Sequence, residues 1–255
     1  MSISRRSFLA AGSLALAPAA ARAEIVHTGY PTQEPELIQE MVIVSHGNVA
    51  RVKELVGRQP ALAKAAWDWG FGDWEDALGA ASHVGNREIA ELLLANGARP
   101  TIFSAAMLGQ LDVVKAFVAA APGVQRTKGP HSITLLRHAM AGGPPAQTVV
   151  DYLQMIGGAD EKPAAQPLSP ADVARLTGAY TFGLGPGDRF EITATKDQLS
   201  IGRPGKFSRG LFHLGSFEFS PVGAERVRIR IAESASAMVL TIHDPDVVLT
   251  ARKAM

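Results

Sequence analysis

One pattern returns four times in this chain and constrains its fold more than any other feature. It is a glycine, a short polar stretch, then a segment with the apolar spacing of a helix. It reads Gly47-Asn48-Val49-Ala50-Arg51-Val52-Lys53-Glu54-Leu55, then Gly85-Asn86-Arg87-Glu88-Ile89-Ala90-Glu91-Leu92-Leu93, then Gly109-Gln110-Leu111-Asp112-Val113-Val114-Lys115-Ala116-Phe117. A fourth copy runs, with a small insertion, from Gly143 to Leu153. The glycines are 38, 24 and 34 residues apart. A unit this short cannot bury its apolar face alone, so several must pack together.

The second unit is the fullest. Ala77-Leu78-Gly79-Ala80-Ala81-Ser82 makes a first helix of small residues, and Gly85 makes the turn. A second helix over 88–95 carries Ile89, Leu92 and Leu93 on one face, and Asn96-Gly97-Ala98-Arg99-Pro100 closes it. The fourth unit closes with Gly157-Gly158-Ala159-Asp160. Period, turn glycines and endings together resemble ankyrin repeats, whose period is about 33 residues. The third unit departs from that pattern. Pro100-Thr101-Ile102-Phe103 follows the second unit at once and leaves no room for a β-finger.

The resemblance implies a concave face built from fingers and first helices, where partners of such proteins bind. The first finger is Trp67-Asp68-Trp69-Gly70-Phe71-Gly72-Asp73-Trp74-Glu75-Asp76, and it holds all three tryptophans of the chain. Aromatic residues in a turn can anchor a partner or stack on a ligand. A second finger, Arg126-Thr127-Lys128-Gly129-Pro130-His131-Ser132, leads into Arg137 and His138. The candidate binding residues are therefore Trp67, Asp68, Trp69, Phe71, Asp73, Trp74, Glu75, His83, His131, Arg137 and His138. Histidines beside carboxylates could also carry protons. However, the chain has no Gly-x-Ser-x-Gly elbow, no His-Glu-x-x-His and no Walker loop. No catalytic residue, cofactor or metal site is assigned from the sequence.

After a stretch rich in proline and alanine (163–170) the character changes. Short alternating runs such as Phe190-Glu191-Ile192-Thr193-Ala194-Thr195 and Arg226-Val227-Arg228-Ile229-Arg230-Ile231 are separated by turn residues. They indicate an antiparallel meander, strongly curved or barrel-like. Leu176-Thr177-Gly178-Ala179-Tyr180 and Leu249-Thr250-Ala251-Arg252 resemble the small lipocalin-like module appended to some exported serine hydrolases. Gly183-Leu184-Gly185-Pro186-Gly187 reads as a turn between strands, since no helix follows it as a phosphate loop requires, and His243-Asp244 as the start of another.

The N-terminus supplies an address. Ser4-Arg5-Arg6-Ser7-Phe8-Leu9 resembles the twin-arginine export signal, and Ala21-Arg22-Ala23 offers a cleavage site. Without Arg5, Arg6 and Arg22 the chain has 22 basic and 24 acidic residues, a balance unsuited to nucleic acid. It has no cysteine, which excludes disulfides, thiolate sites and a lipid anchor on cysteine.

The expected fold is α+β: a signal over 1–23, an ankyrin-repeat α-solenoid over 32–161, a linker over 162–171, and a small antiparallel β-meander or barrel-like domain over 172–255. The expected function is periplasmic binding of a protein or peptide in the concave groove. The alternative is a small-molecule binder or cofactor-free enzyme that uses the groove or the mouth of the β domain. No nucleic acid and no stable membrane span after cleavage are expected.

Overall fold

The computed structural model describes residues 28–195, 198–235 and 237–254. The expected signal segment, 1–23, lies outside the described residues. The chain divides at Glu34, and residues 35–255 form one compact unit. No helix among the described residues is long and apolar enough to cross a membrane.

The first part of that unit is helical: α1 (Pro35–Val44), α2 (Val49–Arg58), α3 (Ala77–His83), α4 (Arg87–Ala95), α5 (Ile102–Met107), α6 (Leu111–Ala120), α7 (Leu135–Ala141) and α8 (Gln147–Ile156). Local chemistry sets the starts. The side chains of Asn48, Asp76, Asn86, Thr101 and Thr134 accept backbone N–H groups at the ends of α2, α3, α4, α5 and α7. A hairpin, β1 (Ala66–Asp68) and β2 (Trp74–Asp76), precedes α3 and pairs Trp67 with Glu75.

These helices do not form the expected repeat solenoid. In a solenoid each unit touches mainly its sequence neighbours. Here α3 packs against α1, α5 and α7, so the fourth helix pair meets the second as well as the third. A Cβ on Gly85, just after α3, would lie 2.0 Å from the carbonyl oxygen of Ala141, at the end of α7. The cause is the short connection between α4 and α5. Without a finger there, the third pair cannot hold its neighbours a full repeat apart. The connections also differ from one another. The first carries the hairpin, the second no strand, and the third two 3₁₀ turns with a single bridge from Lys128 to Thr134.

The second part is a closed barrel, where the strand pattern left a meander or a barrel-like sheet. Helix α9 (Pro170–Leu176) leads into β3 (Gly178–Thr181), β4 (Arg189–Thr195), β5 (Gln198–Gly202), β6 (Arg209–Gly215), β7 (Glu218–Pro221), β8 (Arg228–Ser234), β9 (Ala237–Asp244) and β10 (Val247–Lys253). Neighbours in sequence pair antiparallel, and β10 returns to β3 through Arg252–Thr181 and Lys253–Tyr180. That last pairing removes both free edges. Alternate side chains fill the interior, among them Tyr180, Ile192, Ile201, Leu211, Phe219, Ile229, Ile231, Leu240 and Ile242, and α9 adds Leu176.

The hairpin joins the two parts. Trp67 and Trp69 lie on the helical core, while Phe71 at the tip packs on the barrel core. The tip turns through three successive positive φ angles, at Gly70, Phe71 and Gly72. It is therefore wedged between the two parts.

Candidate metal centre

At this junction four side chains converge. Glu75 comes from β2, His83 from the end of α3, His46 from the α1–α2 turn and His131 from the turn before α7. One donor atom from each can be chosen so that all four lie within 4.8 Å of one another. Glu75 Oε1 is 2.9 Å from His83 Nε2, 3.4 Å from His131 Nε2 and 3.5 Å from His46 Nε2. The Nε2 atoms of His46 and His83 are 3.2 Å apart. Ligands bound to one ion at roughly 2.0–2.2 Å stand about 3.0–3.5 Å from each other, so these separations suit a shared ion.

The outer atoms are fixed in a way that turns the inner ones toward one another. Trp69 Nε1 donates to Glu75 Oε2 (2.8 Å), so Oε1 faces the histidines. His46 Nδ1 lies 3.1 Å from the carbonyl oxygen of Val42 and 3.0 Å from that of Ile43. It must donate there, so Nε2 is the atom that faces inward and would bind an ion once deprotonated. His131 Nδ1 is 2.7 Å from Asp73 Oδ2, and Asp73 Oδ1 accepts the His131 backbone N–H. A histidine backed by a carboxylate in this way is a recurrent outer shell of metal ligands. Asp73 in turn accepts from Arg209 Nη1 on β6 at 2.6 Å, so the barrel steadies the set.

Two residues are held in unfavourable backbone conformations to make this arrangement. His131 and Ser132 have φ near 58° and 57°. Neither is glycine, and each such residue costs about 1–3 kcal/mol. Contacts to the barrel hold the turn: Gly223 N donates to Ser132 Oγ, which donates to Glu225.

The electrostatics follow from burial and pairing. Burial alone would raise the Glu75 carboxyl, but hydrogen bonds from His131, His46 and His83 outweigh it and hold it far below the usual carboxylate range. Asp73 behaves alike: burial works against ionisation, and His131 and Arg209 overcome it. Burial disfavours the His131 cation, yet Asp73 and Glu75 raise it to about 9. Glu75 raises His46 as well. His138 differs. Burial lowers it to about 4, its Nδ1 lies 2.9 Å from the Thr134 carbonyl oxygen, and its buried Nε2 has no partner.

No family model matches the chain, and no curated protein matches it.

Of the residues chosen from sequence, Glu75, His83 and His131 meet at the centre, with Asp73 and Trp69 directly behind them. His138 stands beside His83, ring centroids 6.4 Å apart. Phe71 is on the barrel. Trp74 is 62% exposed, Asp68 accepts the Gly70 N–H in its own turn, and Arg137 faces Asp160. Trp67 lies on the helical core. His46 and Arg209 escaped the sequence reading. A signal for His46 was available. Ser45-His46-Gly47-Asn48 parallels Ser82-His83-Val84-Gly85-Asn86, and both serines bond back to the carbonyl four residues earlier. No comparable signal marks Arg209.

Proposed function

We propose that this protein binds one divalent first-row transition ion through His46, Glu75, His83 and His131, and that its function runs through that ion. The observation that carries this reading is the convergence of three imidazole nitrogens and one carboxylate oxygen, with the far sides of Glu75, His46 and His131 already engaged. Three imidazoles and one carboxylate suit zinc, iron, manganese, cobalt, nickel or copper. Magnesium and calcium prefer sets made of oxygen. Such an ion supplies Lewis acidity and an activated water. The chain's own part is to orient the donors, through Trp69, Asp73 and the carbonyls of Val42 and Ile43, and to keep one face open. His46 is about a third exposed, which leaves a way in for a small molecule.

A twin-arginine signal, which Ser4-Arg5-Arg6-Ser7-Phe8-Leu9 resembles, would fit the same reading, since that route moves folded proteins and an ion bound before export would travel in place.

The test is calorimetric titration of the metal-stripped full chain with zinc, cobalt and manganese, together with elemental analysis of the loaded protein. One ion per chain is expected. Glu75→Gln and His83→Ala should each weaken binding at least about tenfold, with circular dichroism unchanged. For the cobalt protein, the intensity of the visible d–d bands reports the coordination number. If none of the three ions binds, or if both variants bind as the parent does, the cluster is only a protonated latch between the two parts of the fold.

A further inference from the structure

Beside Trp69, which also bounds the proposed metal centre, a cleft of about 260 Å³ lies between the hairpin tip and the barrel. Its walls are apolar: Trp69 and Phe71 from the hairpin, Phe190, Ile201 and Phe207 from the barrel. Its charged side chains are Arg203, which pairs with Asp188, Lys206, and Arg209, which pairs with Asp73, and no carboxylate among the described residues lines it. Arg209 is only 4% exposed. Its Nη1 donates to Asp73 Oδ2 and to the Val222 carbonyl oxygen, whereas its buried Nη2 has no acceptor among the described residues. A buried guanidinium that uses only part of its donor fork is costly unless something completes it. A carboxylate is the natural complement, since its two oxygens match the fork.

We propose that this cleft binds a small organic carboxylate, with its apolar body between Trp69, Phe71 and Phe207 and its carboxylate toward Arg209 and Lys206. The volume sits just under the roughly 300–1,000 Å³ of pockets for drug-sized ligands, which selects an aromatic or short aliphatic acid over a long fatty chain. The site also shares a wall with the metal centre. The Trp69 ring is 5.9 Å from Phe207 and 6.2 Å from His131, and its N–H holds Glu75. A bound acid therefore lies one side chain from the ion, although its binding requires no ion.

The experiment follows tryptophan emission and calorimetry while 3-phenylpropionate, and separately 3-phenylpropionamide, is added to the full chain kept metal-free with EDTA. Without an ion, carboxylate coordination cannot imitate occupancy of the cleft, so this test stands whatever the metal titration gives. The acid should bind saturably, and the neutral amide about tenfold or more weakly. Phe207→Ala and Lys206→Gln replace exposed side chains, which leaves the fold intact, and each should weaken the acid about fivefold. Saturation by acid and amide alike, acid binding unchanged in both variants, or no saturable binding of the acid would each overturn the proposal.

Discussion

His138 shows how a single buried group ties the fold to pH. Burial holds its folded pKa at about 4, below an unfolded value of roughly 6.5. The neutral ring therefore contributes stability that is complete above about pH 6.5 and is lost as the pH falls toward 4. His46 and His131 are raised, so their contribution is complete below pH 6.5 and fades at higher pH. Thermal unfolding of the metal-free chain and of His138→Gln across pH 4–7 separates the two effects. The parent should lose midpoint temperature more steeply than the variant as pH falls, and parallel curves would refute the assignment. Trp69 acts at the same scale. Trp69→Phe keeps the ring on the helical core but removes the N–H that orients Glu75. Metal affinity should drop about tenfold with little change in stability, as for other residues behind a metal ligand. Titration of both proteins with zinc measures it.

The turn glycines act through the elements they join. Gly85 and Gly97 both have positive φ, at 75° and 89°. A Cβ on Gly97 would meet nothing within 4 Å, whereas one on Gly85 would collide with the Ala141 backbone. Gly97→Ala should cost only the left-handed backbone, about 1–2 kcal/mol. Gly85→Ala carries the same cost plus the separation of α3 from α7, so it should be clearly the more destabilising, with the difference above about 1 kcal/mol. Denaturant midpoints of the two variants give the comparison, and equal losses would show that the contact between the second and fourth pairs is slack. Separation of those two helices also moves His83 away from His131, so Gly85→Ala should lose metal affinity that Gly97→Ala keeps.

Across the whole molecule the decisive contact is Asp73 with Arg209, two residues 136 positions apart that are 3% and 4% exposed. Removal of one partner from such a pair leaves an uncompensated buried charge and costs about 3–5 kcal/mol. Arg209→Met should fall in that range. It should also split unfolding into two steps, because the helical part and the barrel each have their own core. Tryptophan emission reports only the hairpin, while far-ultraviolet dichroism reports both parts, so transitions that coincide in the parent should separate in the variant. The double variant Asp73→Asn/Arg209→Met should recover part of the loss, since both charges are then gone.

Whatever depends on near neighbours was legible in the amino-acid order. Turn glycines, the capping residues Asn48, Asp76 and Asn86, the apolar face of α4 and the alternation along β4, β8 and β9 all follow from local backbone and burial rules, and each is in place. Glu75, His83 and His131 were legible as groove residues of the ankyrin resemblance, from their places in the two fingers and on a first helix. Tertiary structure alone decided what these elements do together. Closure of the barrel rests on β10 meeting β3, which no strand pattern specifies. The solenoid expectation failed because the short link before α5 lets the fourth helix pair pack on the second, a matter of space that the repeat pattern does not encode. That same packing carries His131 to His83, His46 and Glu75, and the barrel then contributes Arg209 from far along the chain. A donor set is a property of distances between elements, and those distances exist only once the helical part and the barrel have closed on the hairpin.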